Sequence, residues 1–203
     1  INFVYYIGGK VELLTNGTGL TAVVFLPLIS ALILTAIPKS QELLIKGFAL
    51  VSSIVTFILS ALLLPQFDFS NADKLQLGNK ISWIKSINAN YEIGIDGISL
   101  PLLILSTFIT VLAIIYSIEH LPEPKSPKGF LALILVLETG MNGTFVALDL
   151  ILFFVFFEIV LLPMYFMIGI WGDKTVRTVA GFKNQIETRL YASIKFFVFT
   201  LFG

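Results

Sequence analysis

Five times along this chain the side chains stay apolar for about 18 to 21 residues in a row. That length crosses roughly 30 Å of hydrocarbon at about 1.5 Å per helical residue. The spans run over residues 20–37, 47–64, 98–118, 130–148 and 150–170. A sixth, over 190–203, stops after about 21 Å of helix. The sequence therefore predicts an all-α polytopic membrane protein with five complete transmembrane helices and the start of a sixth. We read residues 1–203 as a single membrane domain, the N-terminal part of a longer protein. Composition supports the bilayer over water: 57% of residues are hydrophobic, 13% are charged, and mean hydropathy is +0.94. A soluble fold is nearer about a quarter charged and needs that polar surface to cover its core.

Lys and Arg set the expected orientation. Lys39, Lys46, Lys125, Lys128, Lys174, Arg177, Lys183 and Arg189 fall on one side, read as the cytoplasmic one. Lys10, Lys74, Lys80 and Lys85 fall on the other, which puts the N-terminus outside, in a bacterial plasma membrane. The outer loop 65–97 is long and polar, and within it Lys80-Ile-Ser-Trp-Ile84 and Tyr91-Glu-Ile-Gly-Ile95 alternate as a candidate β-hairpin. On the inner side Pro122, Pro124 and Pro127 forbid helix and make a stiff connector.

What the chain lacks narrows its chemistry. A net charge of zero argues against a nucleic-acid partner. The chain has no cysteine, and His120 is its one histidine, beside a loop. Disulfides, iron–sulfur ligation, thiolate chemistry and a bis-histidine haem cannot be built from it alone. No cofactor or metal is expected here, and any redox work would lie on other chains.

Three ionisable residues inside the spans carry the functional reading. Glu158 has no charge within eight positions on either side. A carboxylate at a span centre costs about 3 kcal/mol on insertion scales, so it faces a bundle interior or water and marks a functional site by default. The plain alternative is a protonated glutamate bonding helix to helix. Pro163 adds to the functional reading, because it cannot donate to the carbonyl of Ile159 and leaves a polar group near the carboxylate. Glu138 sits about as far as Glu158 from the tight turn at Leu148-Asp149, so both lie roughly 14–16 Å deep. Carboxylates at one depth can share a proton, although spacing does not say whether they face each other. Lys195, early in the sixth span, is either a cationic partner of an acid or a snorkelling interfacial residue. Asp149 reads as a helix N-cap, Gly140 and Gly143 as a small-residue packing face, and Trp171 as an interfacial anchor. Asn16-Gly-Thr18 and Asn142-Gly-Thr144 match glycosylation acceptors, the first by chance and the second inside a span.

These residues resemble a known family. Tyr91-Glu-Ile-Gly-Ile-Asp-Gly-Ile-Ser-Leu-Pro101 is similar to the segment entering the third helix of complex I antiporter-like subunits. Ala147-Leu-Asp-Leu-Ile-Leu-Phe-Phe-Val-Phe-Phe-Glu158, Leu162-Pro-Met-Tyr-Phe166 and Gly169-Ile-Trp-Gly172 resemble the fifth helix of the M-type subunit, the counterpart of mitochondrial subunit 4. Leu190-Tyr-Ala-Ser-Ile-Lys-Phe-Phe-Val-Phe-Thr200 resembles the next helix. The resemblance covers about residues 90–203; the first 90 are similar in hydropathy alone. It implies that Glu158 is the family's essential fifth-helix glutamate and Lys195 its sixth-helix lysine, with a partner lysine on a seventh helix outside this sequence. Glu138 is kept as a third proton-translocating candidate on its depth in the span, not on the resemblance. The inner loop 173–189 is longer than the family's usual link.

The expectation is a proton-translocating subunit of NADH:quinone oxidoreductase, with the bilayer, protons and the other membrane subunits as partners. NADH and quinone would bind on other subunits. Two alternatives remain at this stage: a subunit of a cation/proton antiporter or hydrogenase-linked pump, and a structural membrane anchor.

Overall fold

The computed structural model of the chain describes residues 17–122, 124–177 and 186–202. Six helices follow in order: α1 (Thr18–Ala36), α2 (Glu42–Ala61), α3 (Ser99–Glu119), α4 (Pro127–Val146), α5 (Leu150–Trp171) and α6 (Thr188–Phe202). The first five are long and apolar enough to cross a membrane. A two-stranded antiparallel hairpin, β1 (Gln76–Ile84) and β2 (Ala89–Ile95), joins α2 to α3, and two short strands, Val176–Arg177 and Ile186–Glu187, pair before α6. Lys10, Asn16 and Lys183, named above, lie outside the described residues.

Most helix bounds match the apolar blocks, and α2 differs for a local reason. It starts at Glu42, five residues before the run read from sequence, because Leu43, Leu44 and Ile45 are apolar and Ile45 packs into the core. Glu42 and Lys46, which interrupt that apolar stretch, pair across one turn at 2.6 Å. At its other end Pro65 stands in a short 3-10 turn, Leu64–Gln66.

Helices α1 to α4 bury their facing sides in two apolar clusters. One joins Leu20, Val23 and Val24 of α1 to Leu100 and Leu103 of α3, Val146 of α4, and Leu152 and Phe156 of α5. The other joins Ala31 and Leu34 of α1, Ile45 and Ala49 of α2, Ile114 of α3, and Leu131, Ile134 and Leu135 of α4. Small hydroxylated residues line the inward faces of α2 and α3: Ser52, Ser53, Thr56 and Ser60 face in from α2, and Ser106, Thr107 and Thr110 from α3. Ser60 and Thr107 meet hydroxyl to hydroxyl at 2.8 Å, while Thr56 and Thr110 donate to carbonyls four residues back in their own helices. Such side chains bring helices close where lipid gives no hydrophobic drive.

The hairpin closes the end of the bundle where α1, α3 and α5 begin. Its register pairs Lys80 with Glu92, Ile81 with Tyr91 and Ser82 with Asn90, and the Lys80–Glu92 ion pair spans 2.7 Å. It is fastened on two sides. The Tyr91 hydroxyl donates to Thr21 Oγ1 at 3.0 Å, and the Leu148 amide donates to the Glu92 carbonyl at 2.9 Å. The carboxyl of Asp96 accepts from the amides of Ile98 and Ser99, while Ser99 Oγ accepts from the Asp96 amide, so two residues of the family-like motif close the start of α3. At the opposite end Lys128 donates to the Ile37 carbonyl at 2.7 Å, and Trp171 Nε1 donates to the Pro124 carbonyl at 2.9 Å. The connector at Pro122 and Pro124 is thus held by a specific donor, beyond the anchoring role that Trp171 had from sequence. Pro127, read there as a helix breaker, instead opens α4 at its first position, where a missing N–H costs no helical bond.

Candidate functional site

Helix α5 is built to carry a carboxylate that is not packed away. In its most apolar window 22% of residues are buried, against 50% for α4. Asp149 starts the helix, accepting on Oδ1 from the amides of Ile151 and Leu152, and α5 runs unbroken through Pro163. The face it turns to α4 is set by glycine. A Cβ at Gly140 would stand 2.7 Å from Val160 Cγ2, and one at Gly143 would fall inside the Phe156 ring. That close approach fixes which residues of α5 remain outward.

Glu158 is the ninth of the 22 residues of α5 and is half-buried. It lines a groove of about 460 Å³ with Val136 of α4, Phe154, Val155, Ile159 and Leu162 of α5, and Phe197 of α6. The carboxylate is thus the polar group of an otherwise apolar groove near mid-span. A second groove of about 370 Å³ continues along the same side between α5 and α6, lined by Leu162, Tyr165, Phe166, Ile194 and Phe197.

Glu138 occupies a different place. It is the twelfth of the 20 residues of α4 and is 0% exposed. The groove of Glu158 meets α4 at Val136, and two residues turn a helix by about 200°, so Glu138 lies on nearly the opposite side. Gly140 and Gly143, which meet α5, also lie away from it. The two carboxylates match in depth, as the tight turn predicted, but among the described residues Glu138 does not line the groove of Glu158.

Lys195 is apart from both. Ser193 is the buried residue of α6, packed against Gly169 of α5, and Lys195 is exposed two residues further round. Its ammonium lies 5.6 Å from the centre of the Tyr191 ring. His120 is exposed and stacks on Tyr116 with ring centres 4.6 Å apart. Sequence reading missed Pro27, inside α1, and the role of Asn142. Asn142 is 0% exposed and donates from Nδ2 to the Val23 carbonyl at a long 3.5 Å. Proline four residues after a buried carbonyl was the available signal.

The fold and these positions define an integral multi-pass membrane protein with carboxylates set inside its spans. Comparison with known proteins gives the family. The family described as NADH-ubiquinone oxidoreductase chain 4, amino terminus, matches residues 22–144, and that described as NADH:quinone oxidoreductase/Mrp antiporter, TM, matches 147–203. The chain belongs to the NADH-ubiquinone oxidoreductase chain 4 family. It is 37% identical over 186 residues to NADH-quinone oxidoreductase subunit M of Rickettsia typhi, covering 89% of this chain and 34% of that protein. It is 34% identical over 186 residues to NADH-ubiquinone oxidoreductase chain 4 of Marchantia polymorpha, covering 92% and 34%. With NAD(P)H-quinone oxidoreductase chain 4 of Gloeobacter violaceus the identity is 36% over 185 residues, covering 91% and 31%. The chain spans about a third of the length of these relatives.

Proposed function

We propose that this chain is part of a proton-translocating membrane subunit of NADH:quinone oxidoreductase, and that Glu158 carries the proton. The observation behind the reading is the place of Glu158: near mid-span, half-buried, in an apolar groove between α5 and α6. A structural glutamate would be packed and bonded on every side, whereas a carrier must reach water or a partner group and be protonated reversibly. The names of the relatives and the match to an NADH:quinone oxidoreductase/Mrp antiporter family favour the same chemistry. Lys195 is proposed as a cationic helper that acts on groups reaching the outward side of α6, since it faces away from α5. Electron transfer, NADH and quinone belong to other subunits in this reading, and this chain holds no cofactor or metal. We place it in a bacterial plasma membrane with the N-terminus outside, on the Lys and Arg asymmetry and the Rickettsia and Gloeobacter relatives.

The test is Glu158→Gln in the full-length protein within its complex, read as proton pumping by dye quench in inverted vesicles. Assembly is followed in parallel by native gel. Pumping falls severely while the complex assembles, and Glu158→Asp keeps part of it. Full pumping by an assembled Glu158→Gln complex contradicts the assignment.

A further inference from the structure

Pro27 breaks the bonding of α1 at a buried point. Its nitrogen carries no hydrogen, so the carbonyl of Val23 has no donor from its own helix. Val23 and Pro27 are both buried. The donor comes from α4, where Asn142 Nδ2 reaches the Val23 carbonyl at 3.5 Å. That bond orients the amide: its NH2 points at α1, and Oδ1 is left an acceptor with no partner among the described residues.

Glu138 lies four residues before Asn142, one turn along the same face of α4. Both of its carboxyl oxygens are buried and lack a hydrogen-bond partner. An ionised carboxylate only accepts, so it cannot serve Asn142 Oδ1. The neutral acid brings one O–H donor, and that is what the amide oxygen lacks. The surrounding helices offer no cation. Helix α1 has no charged residue. The charges of α2, Glu42 and Lys46, pair with each other at its start. Helix α3 has Tyr116 and Glu119 at its far end. Lys128 of α4 is spent on the Ile37 carbonyl, Glu92 of the hairpin on Lys80, and Glu158 of α5 opens on the other side.

We propose that Glu138 is a second proton-binding site, separate from Glu158, whose O–H is donated to Asn142 and whose loss turns the Asn142 amide over and frees the Val23 carbonyl at the Pro27 break. When the O–H bond breaks, the proton passes to water and the electron pair stays on the carboxylate. The carboxylate then takes an N–H from Asn142 in place of the proton it gave, and the amide oxygen swings toward α1, where a second acceptor already stands. Two acceptors facing each other are unfavourable, so α1 shifts at Pro27 to let water reach the Val23 carbonyl. The inference rests on burial and bonding alone and stands whether or not Glu158 carries a proton.

Infrared spectroscopy of the resting full-length protein in its complex tests it without turnover. A carbonyl band of a neutral carboxylic acid is expected that shifts in heavy water, is lost in Glu138→Gln and is kept in Glu158→Gln. Where Glu138→Gln does not assemble, Glu138→Asp makes the assignment by moving the band. The band should move to higher frequency in Asn142→Leu, which removes its acceptor. It should also move in Pro27→Ala, which returns an amide donor to Val23 and unlocks Asn142 from another helix. A merely packed glutamate would not register that last change. Absence of the acid band, or a band unmoved by Asn142→Leu and Pro27→Ala, overturns the proposal.

Discussion

Asp149 accepts the backbone amide of Asn90 on Oδ2 at 2.9 Å, while its other oxygen caps the first turn of α5. One carboxylate thereby joins the start of β2 to the turn between α4 and α5. The Asn90 amide is the largest cause of a carboxyl held below the ordinary aspartate range; desolvation opposes it, and the Leu152 and Ile151 amides add to it. A depressed carboxyl stabilises the fold above its unfolded value, and the effect is lost as pH falls through the folded value. Asp149→Asn should therefore lower the thermal midpoint of the assembled complex at neutral pH. The gap from wild type should close as pH drops below the normal aspartate range. A gap that is constant with pH would argue against this role.

Gly143 gives a packing prediction. A Cβ there enters the Phe156 ring, so Gly143→Ala should destabilise the α4–α5 pair by about 1–3 kcal/mol through overpacking. Adding Phe156→Leu should recover part of the loss, read as the yield of assembled complex on native gels. Additive losses in the double variant would place the contact elsewhere.

Trp171 donates to the Pro124 carbonyl and meets Phe130 edge-on, with ring centres 5.2 Å apart. Trp171→Phe keeps the ring contact and deletes the donor. The connector should then loosen, and trypsin should cut after Lys125 faster in the solubilised complex. Mass spectrometry of the fragments reads the rate, and an unchanged rate would mean that the prolines alone hold the connector.

The proposed orientation is checked with single cysteine substitutions in the full-length protein, its other cysteines replaced. Asn88→Cys, at the hairpin tip, should react with an impermeant maleimide in intact cells, and Lys174→Cys should react only in inverted vesicles. The reverse pattern would turn the topology over.

The sequence was most informative where one physical rule acts alone. Span length against bilayer thickness located α1 to α5, and alternation picked out the strand pair around Lys80 and Glu92. Cap chemistry identified Asp149. Reading weakened wherever the answer needed the direction of a side chain around its helix. Depth placed Glu138 and Glu158 level, but it is the glycine face of α4 that separates them, turning one into the bundle and the other into the groove. Lys195 likewise faces away from α5 because Ser193 takes the packed side of α6. Pro27 was hidden inside an apolar run, since hydropathy does not register a missing amide hydrogen. Its partner Asn142 lies on another helix.

The fastenings of the hairpin impose an order of events during synthesis. Thr21, which receives Tyr91, is made before residues 76–95, but Leu148 and Asp149, which hold Glu92 and Asn90, are made after two further spans. Until the turn beyond α4 reaches that face of the bilayer, the hairpin is tethered at one corner and can be lifted. Arrival of α5 latches it, after α1 to α4 have closed the apolar cluster that they share. A chain stalled before Asp149 would then be a preferred substrate for membrane quality control, its hairpin available to proteases that the finished bundle excludes.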